Sequence, residues 1–157
     1  MRGGWPAPLA FGAGAVFVAA AAVLYFSGSP RNGDDGSAAQ IAHGAQVYAA
    51  NCASCHGQNL EGQANWRLRG PDGKLPAPPH DATGHSWHHD DATLFGVTKL
   101  GPAGFSGTAY VSDMPAFGDI LDDADIWAVI AYIKSTWPDE VRARQAQIDR
   151  QARENNS

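Results

Sequence analysis

The feature that most constrains this chain is the stretch Cys52-Ala53-Ser54-Cys55-His56. It holds both cysteines of the 157-residue sequence, with a histidine directly after the second. Two cysteines cannot build the disulfide framework of a small secreted domain. A redox dithiol would want a βαβ setting, and no strand pattern surrounds this motif. A zinc site would want four ligands, usually including a second cysteine pair. The fold must therefore form around a single compact cluster of two thiols and one imidazole.

CxxCH is the attachment signature of a c-type haem. Two thiols three positions apart on a tight helical turn can each add to one vinyl group, giving two thioethers. The following residue, His56, is then carried under the iron as an axial ligand. A cofactor of that size also answers a second question. Residues 57–89 show almost no periodicity and are rich in Gly, Pro, Asn and His. A loop of that length within a compact domain needs something to wrap around.

A sixth ligand is then required. Methionine in that position raises the potential. Apart from the initiator, the only methionine is Met114, in SDMPAFGD. Pro115 restricts it to extended backbone, which suits a loop presenting a side chain to a metal. The competitor is a histidine from the group at 80–89.

The N-terminal region points to export. No charged residue occurs from Gly3 to Pro30, and residues 9–26 are all apolar or small. That is just enough for a helix across a hydrocarbon core of ~30 Å. Arg2 precedes it, so the positive-inside rule keeps the N-terminus in the cytoplasm and sends the rest across. A cleaved signal peptide is the alternative. Residues 27–38 (SGSPRNGDDGSA) read as a flexible tether.

Beyond it, Ile41, Ala45, Tyr48 and Cys52 share one helical face. A short helix is expected over Asp90–Lys99, capped by Asp90 or Asp91, with Gly101 to Val111 as loop. DDADIWAVIAYIKSTWP, from Asp122, has an acidic first turn and a face of Ile126, Ile130, Ile133 and Trp137, closed by Pro138. The remainder is polar and helix-prone, and is expected to fray. The net charge of −5 provides no basic patch for nucleic acid but suits steering toward basic partners.

The order of helix, GAQVYAANCASCHG, Pro-rich loop, MPAFG and terminal helix IWAVIAYIKSTWP resembles a class I c-type cytochrome, in particular the membrane-anchored bacterial monohaem kind. The resemblance covers about residues 39–138. It implies an all-α class I cytochrome c fold around one covalent haem, here preceded by a single transmembrane helix. Domains follow as a short cytoplasmic N-terminus at 1–6, an anchor or uncleaved signal at 7–28, a linker at 29–38, the haem domain at 39–138, and a polar helical or disordered tail at 139–157. The resemblance also implies that the first and last helices cross, with Gly44 and Tyr48 meeting the Trp127 and Ile130 side. It further implies a proline carbonyl bonded to the second nitrogen of His56. Pro76, Pro78 and Pro79 are all available, and Pro78 is carried as the candidate. The implied site is Cys52 and Cys55 for covalent haem, His56 and Met114 for its iron, and Trp66 and Arg67 in its surroundings.

The implied function is single-electron transfer by a carrier rather than an enzyme, with no small-molecule substrate. The carrier would sit on the periplasmic face of a bacterial inner membrane, N-terminus in and C-terminus out. Partners would be a quinol-oxidising complex, a terminal oxidase or another redox protein. His80, His85, His88 and His89, in HDATGHSWHH, admit three readings: polar packing around the haem edge and its propionates, a docking or ligand-switch role, or a second metal. In the last, copper would be favoured by imidazole-rich ligation, and the protein would bind or sense that metal.

Overall fold

The computed structural model describes Met1 and residues 36–107 and 110–156. The chain divides into two units, Met1–Arg31 and Asn32–Ser157, and the fold described here is that of the second. The expected membrane span and most of the tether lie outside the described residues. Among the described residues, no helix is long and apolar enough to cross a membrane.

The described part is all-helical: α1 (Ala38–Asn51), α2 (Ala53–His56), a 3₁₀ turn (Ser86–His88), α3 (Asp91–Ser106), α4 (Asp123–Ser135) and α5 (Asp139–Asn155). Each longer helix but the last starts on a side-chain cap. Ser37 accepts from the Gln40 amide, Asp90 from Thr93 and Asp122 from Asp125. Each of these bonds satisfies an amide that has no partner within its helix.

The central packing is α1 against α4. Gly44 makes it possible, because a β-carbon there would fall 1.9 Å from the Ala128 carbonyl oxygen. The two backbones touch at this point, and Tyr48 follows with its ring 5.5 Å from that of Tyr132. The crossing matches expectation, but its face is set by Ala128 and Tyr132. Trp127 turns instead toward α3 and stacks on Phe95 at 4.6 Å. Val47, Tyr48, Leu60 and Val129 form the buried cluster beneath.

Two segments differ from the sequence reading. The expected loop after Gly101 begins with more helix. Gly101 breaks the α3 path at φ 70°, and Pro102 then starts a further turn reaching Ser106. Proline is well suited to a first helical position, since its missing N–H would have no helical partner there.

The polar tail does not fray. It forms α5, a 17-residue helix on which Gln145 and Asp149 are buried. Gln145 donates to the His89 carbonyl and the Asp91 carboxylate, while Asp149 accepts from the Asp91 amide. The same Asp91 carboxylate receives Lys134 Nζ from α4. The fully buried positions of this helix are thus polar and docked by directional bonds.

Candidate functional site

The CxxCH segment sits where α1 gives way to α2. Cys52 caps the end of one and the start of the other, and its carbonyl accepts from the amides of both Cys55 and His56. This turn leaves Cys52 half-buried, Cys55 exposed and His56 buried. Gly57 then leaves the helix at φ 84°, where a side chain would collide with the Glu61 carboxylate. The Tyr48 hydroxyl, deep in the core, donates to the Gly57 carbonyl at 2.9 Å and pins the turn to α1.

His56 Nδ1 lies 2.8 Å from the Pro78 carbonyl oxygen. A carbonyl can only accept, so Nδ1 carries the proton and Nε2 presents its lone pair. Burial lowers the pKa of His56, against the opposing pull of the Pro78 bond. Both the tautomer and the neutral form are those a metal ligand needs.

The choice of Pro78 over its neighbours comes from register. The Gln63 amide donates to the Ala77 carbonyl, and the Ala77 amide to Gln63 Oε1. Gly62, at φ 69°, lets these two segments close up, because a β-carbon there would lie 2.4 Å from the Pro79 nitrogen.

Beside His56 lies a cavity of about 450 Å³. Cys52, Cys55, His56 and Pro78 contribute to its wall on the CxxCH side. Leu94, Val97 and Thr98 contribute from α3, Ile130 and Ile133 from α4, and Met114 from the following loop. That loop is tied to α3 by Phe117 and Gly118, whose amides donate to the Thr98 and Lys99 carbonyls. Two thiols, an imidazole lone pair and a thioether thus share one largely apolar chamber. These residues fit a covalently held haem.

Cys52 is a poor candidate for a reactive dithiol. Burial, with the Cys55 charge adding, pushes its pKa up to about 11, far from the values that activate a thiol.

Among the described residues, no three His, Cys, Asp or Glu side chains converge on a common point. The four rings of the histidine loop have different neighbours. His80 turns inward and stacks on His56 with centroids 4.0 Å apart. His85 stacks on Trp66 and meets His89 edge-on. His88 lies against Trp87, over which the Arg144 guanidinium also sits. Together these rings form an aromatic wall.

Trp66, His85 and His89 do line the cavity. Arg67 does not. It is exposed, with its guanidinium 3.9 Å over the Trp66 ring. The sequence reading grouped His80 with the other loop histidines and set Trp137 on the face of the last apolar helix, without linking the two. The Trp137 indole donates to the His80 carbonyl at 2.7 Å. No pattern in the sequence separates His80 from the other three histidines, whereas its position two residues after Pro78 does so once that register is known.

A family model for cytochrome c matches residues 41–137, and the chain belongs to this family. It is 35% identical over 102 residues to the cbb3-type cytochrome c oxidase subunit CcoP of Azospirillum sp. (strain B510), covering 65% of this chain and 30% of that protein. With the CcoP subunit of Azospirillum brasilense it shares 33% identity over 96 residues, which are 61% of this chain and 28% of the relative. With cytochrome c6 of Picosynechococcus sp. (strain ATCC 27264 / PCC 7002 / PR-6) it shares 38% over 97 residues, 61% of this chain and 73% of the relative. The chain thus spans less than a third of the length of the CcoP relatives it matches. No solved structure matches it. The protein is a c-type cytochrome, and its cofactor is covalent haem c.

Proposed function

We propose that this chain is a membrane-tethered periplasmic electron carrier in which Cys52 and Cys55 hold the haem while His56 and Met114 ligate its iron. The observation that carries this reading is the His56–Pro78 bond of 2.8 Å, which aims an imidazole lone pair away from Pro78 in a cavity also lined by both thiols and Met114. Haem c, when bound, supplies a one-electron Fe(II)/Fe(III) couple. The chain's own residues do the rest. Pro78 fixes the His56 tautomer, the α3 and α4 aliphatic side chains exclude water, and the 110–118 loop delivers Met114. With both axial positions filled by protein, no place is left for a substrate, so the role is carriage rather than catalysis.

Residues 7–28 are proposed as the anchor and 29–38 as the linker joining it to the haem domain at 39–138. Tethering would raise the local concentration of the carrier near membrane partners. The resemblance to CcoP favours a terminal oxidase among them, with a quinol-oxidising complex as the opposite pole.

The test is the absorption spectrum of the membrane-extracted protein, followed by acid-acetone extraction. Haem that stays with the chain, together with a methionine–Fe(III) charge-transfer band that Met114→Ala abolishes along with a fall in potential, supports the reading. A band and potential unmoved in Met114→Ala would refute the assignment of that ligand. Haem extracted from the parent would refute the thioethers.

A further inference from the structure

His80 is the one loop histidine stacked against the proposed iron ligand, and electron carriage as described above gives it no task. Its ring lies nearly parallel to that of His56, at 22° and 4.0 Å between centroids. It is half-buried at the cavity wall and held by several bonds. Its amide donates to the Leu60 carbonyl at 2.8 Å, and its carbonyl accepts from the Trp137 indole at 2.7 Å. Its Nδ1 and the buried Ser86 Oγ are hydrogen-bonded at 2.9 Å, and the Tyr48 ring meets it edge-on.

The Pro78 bond alone fixes one nitrogen of His56 and still permits the ring to rock about that bond. A flat, clamped ring against one face of the imidazole removes that freedom. Residues Pro78 to His80 therefore carry both constraints, one in the plane of the His56 ring and one across it.

We propose that His80 is a positioning residue that sets the plane of the His56 imidazole and thereby the electronic state of the iron it ligates. The inference rests on the reading of His56 as an axial ligand. The orientation of an axial imidazole governs its overlap with the iron d orbitals, so its loss reads out in spectra as well as in potential.

The test uses the haem-loaded protein and compares parent, His80→Ala, His80→Phe and Ser86→Ala by ferric electron paramagnetic resonance, haem-methyl proton shifts and reduction potential. His80→Ala is expected to move or broaden the largest g value, reorder the methyl shifts and shift the potential. His80→Phe, which restores a flat ring, is expected to return the spectra toward the parent. Ser86→Ala, which frees the ring from its clamp, is expected to move them less than His80→Ala.

A loaded His80→Ala protein with parental spectra and potential overturns the proposal, as does a His80→Phe protein that behaves like His80→Ala. If His80→Ala takes up no haem, Ser86→Ala decides: a displaced g value supports the proposal, and an unmoved spectrum overturns it. His56→Ala keeps the two inferences apart. A low-spin signal that survives His56→Ala removes the ligand reading itself. A signal lost there but unchanged in the His80 variants removes only the role of His80.

Discussion

Replacing Lys134 with methionine is expected to destabilise the folded, haem-loaded protein by about 3–5 kcal/mol. The Lys134 and Asp91 side chains are only 7% and 8% exposed, and Nζ lies 2.8 Å from one carboxylate oxygen. Removing the ammonium leaves a buried carboxylate whose remaining side-chain donor is Gln145 Nε2, also at 2.8 Å. Breaking a buried ion pair by deleting one partner typically costs about 3–5 kcal/mol, because the other charge stays desolvated. Each kcal/mol lowers the melting temperature of a domain this size by roughly 4 °C, so the loss is on the order of 10–20 °C. Thermal unfolding followed by circular dichroism and haem absorbance measures it. The double variant Asp91→Leu/Lys134→Met carries the sharper prediction. With both charges gone neither member of the pair is left buried without its counter-charge, and the double variant is expected to be more stable than Lys134→Met alone. A loss below about 1 kcal/mol in Lys134→Met would place the pair among solvated surface bridges and refute the reasoning.

Three further outcomes are expected. Gly44→Ala forces a β-carbon onto the Ala128 carbonyl and should cost about 3 kcal/mol or more, at the upper end of overpacking, read from denaturant midpoints. Trp137→Phe keeps an aromatic ring but removes the donor to the His80 carbonyl, a loss of about 1–3 kcal/mol by the same measurement. Asp90→Ala removes the α3 cap at about 1 kcal/mol near neutral pH. Burial tends to raise the pKa of Asp90, but the bonds from Thr93 outweigh it and the net shift is downward. A depressed carboxylate stabilises above its unfolded value, so the gap between parent and Asp90→Ala should be full above pH 3.8 and close as pH falls through the lower folded value. A gap that widened on acidification would contradict this.

The parts legible in sequence are those whose chemistry requires contiguity. Cys52, Cys55 and His56 must lie on one turn, so they appear as one motif. A cap at Asp90 or Asp91 was legible for the same reason, since a cap acts within three residues. The choice of Pro78 was not legible, because it depends on the Gln63–Ala77 pairing and on Gly62 admitting the opposite segment. The turn at Pro102 was hidden because Gly101 and Pro102 together read as a stop. They do break the helix, but its path resumes directly. The docking of α5 was hidden because its fully buried positions are a glutamine and an aspartate, the residue types that pattern arguments assign to solvent.

The neighbours of the loop histidines were hidden for a related reason. Spacing says which histidines can approach one another, not what else each ring meets. In HDATGHSWHH, Trp66 stacks on His85, Trp87 lies against His88, both Ser86 and His56 engage His80, and His89 meets His85. With its histidines so engaged, the loop serves as a wall.

That wall also connects α5 to the site. Gln145 bonds to the His89 carbonyl and to Asp91, so α5 holds both sides of the junction where the histidine loop becomes α3. Ser86 begins the 3₁₀ turn just before that junction and is the residue that clamps His80. His80 in turn lies against His56. The family match ends at residue 137, one residue before α5 is capped. A helix beyond the family's common core thus braces, through four residues in sequence, the ring that faces the proposed iron ligand. The His89 carbonyl and the Asp91 carboxylate accept from Gln145 Nε2, and the Asp91 amide donates to Asp149. Apolar contact alone would tolerate sliding, whereas these directional bonds hold α5 at one register on the loop.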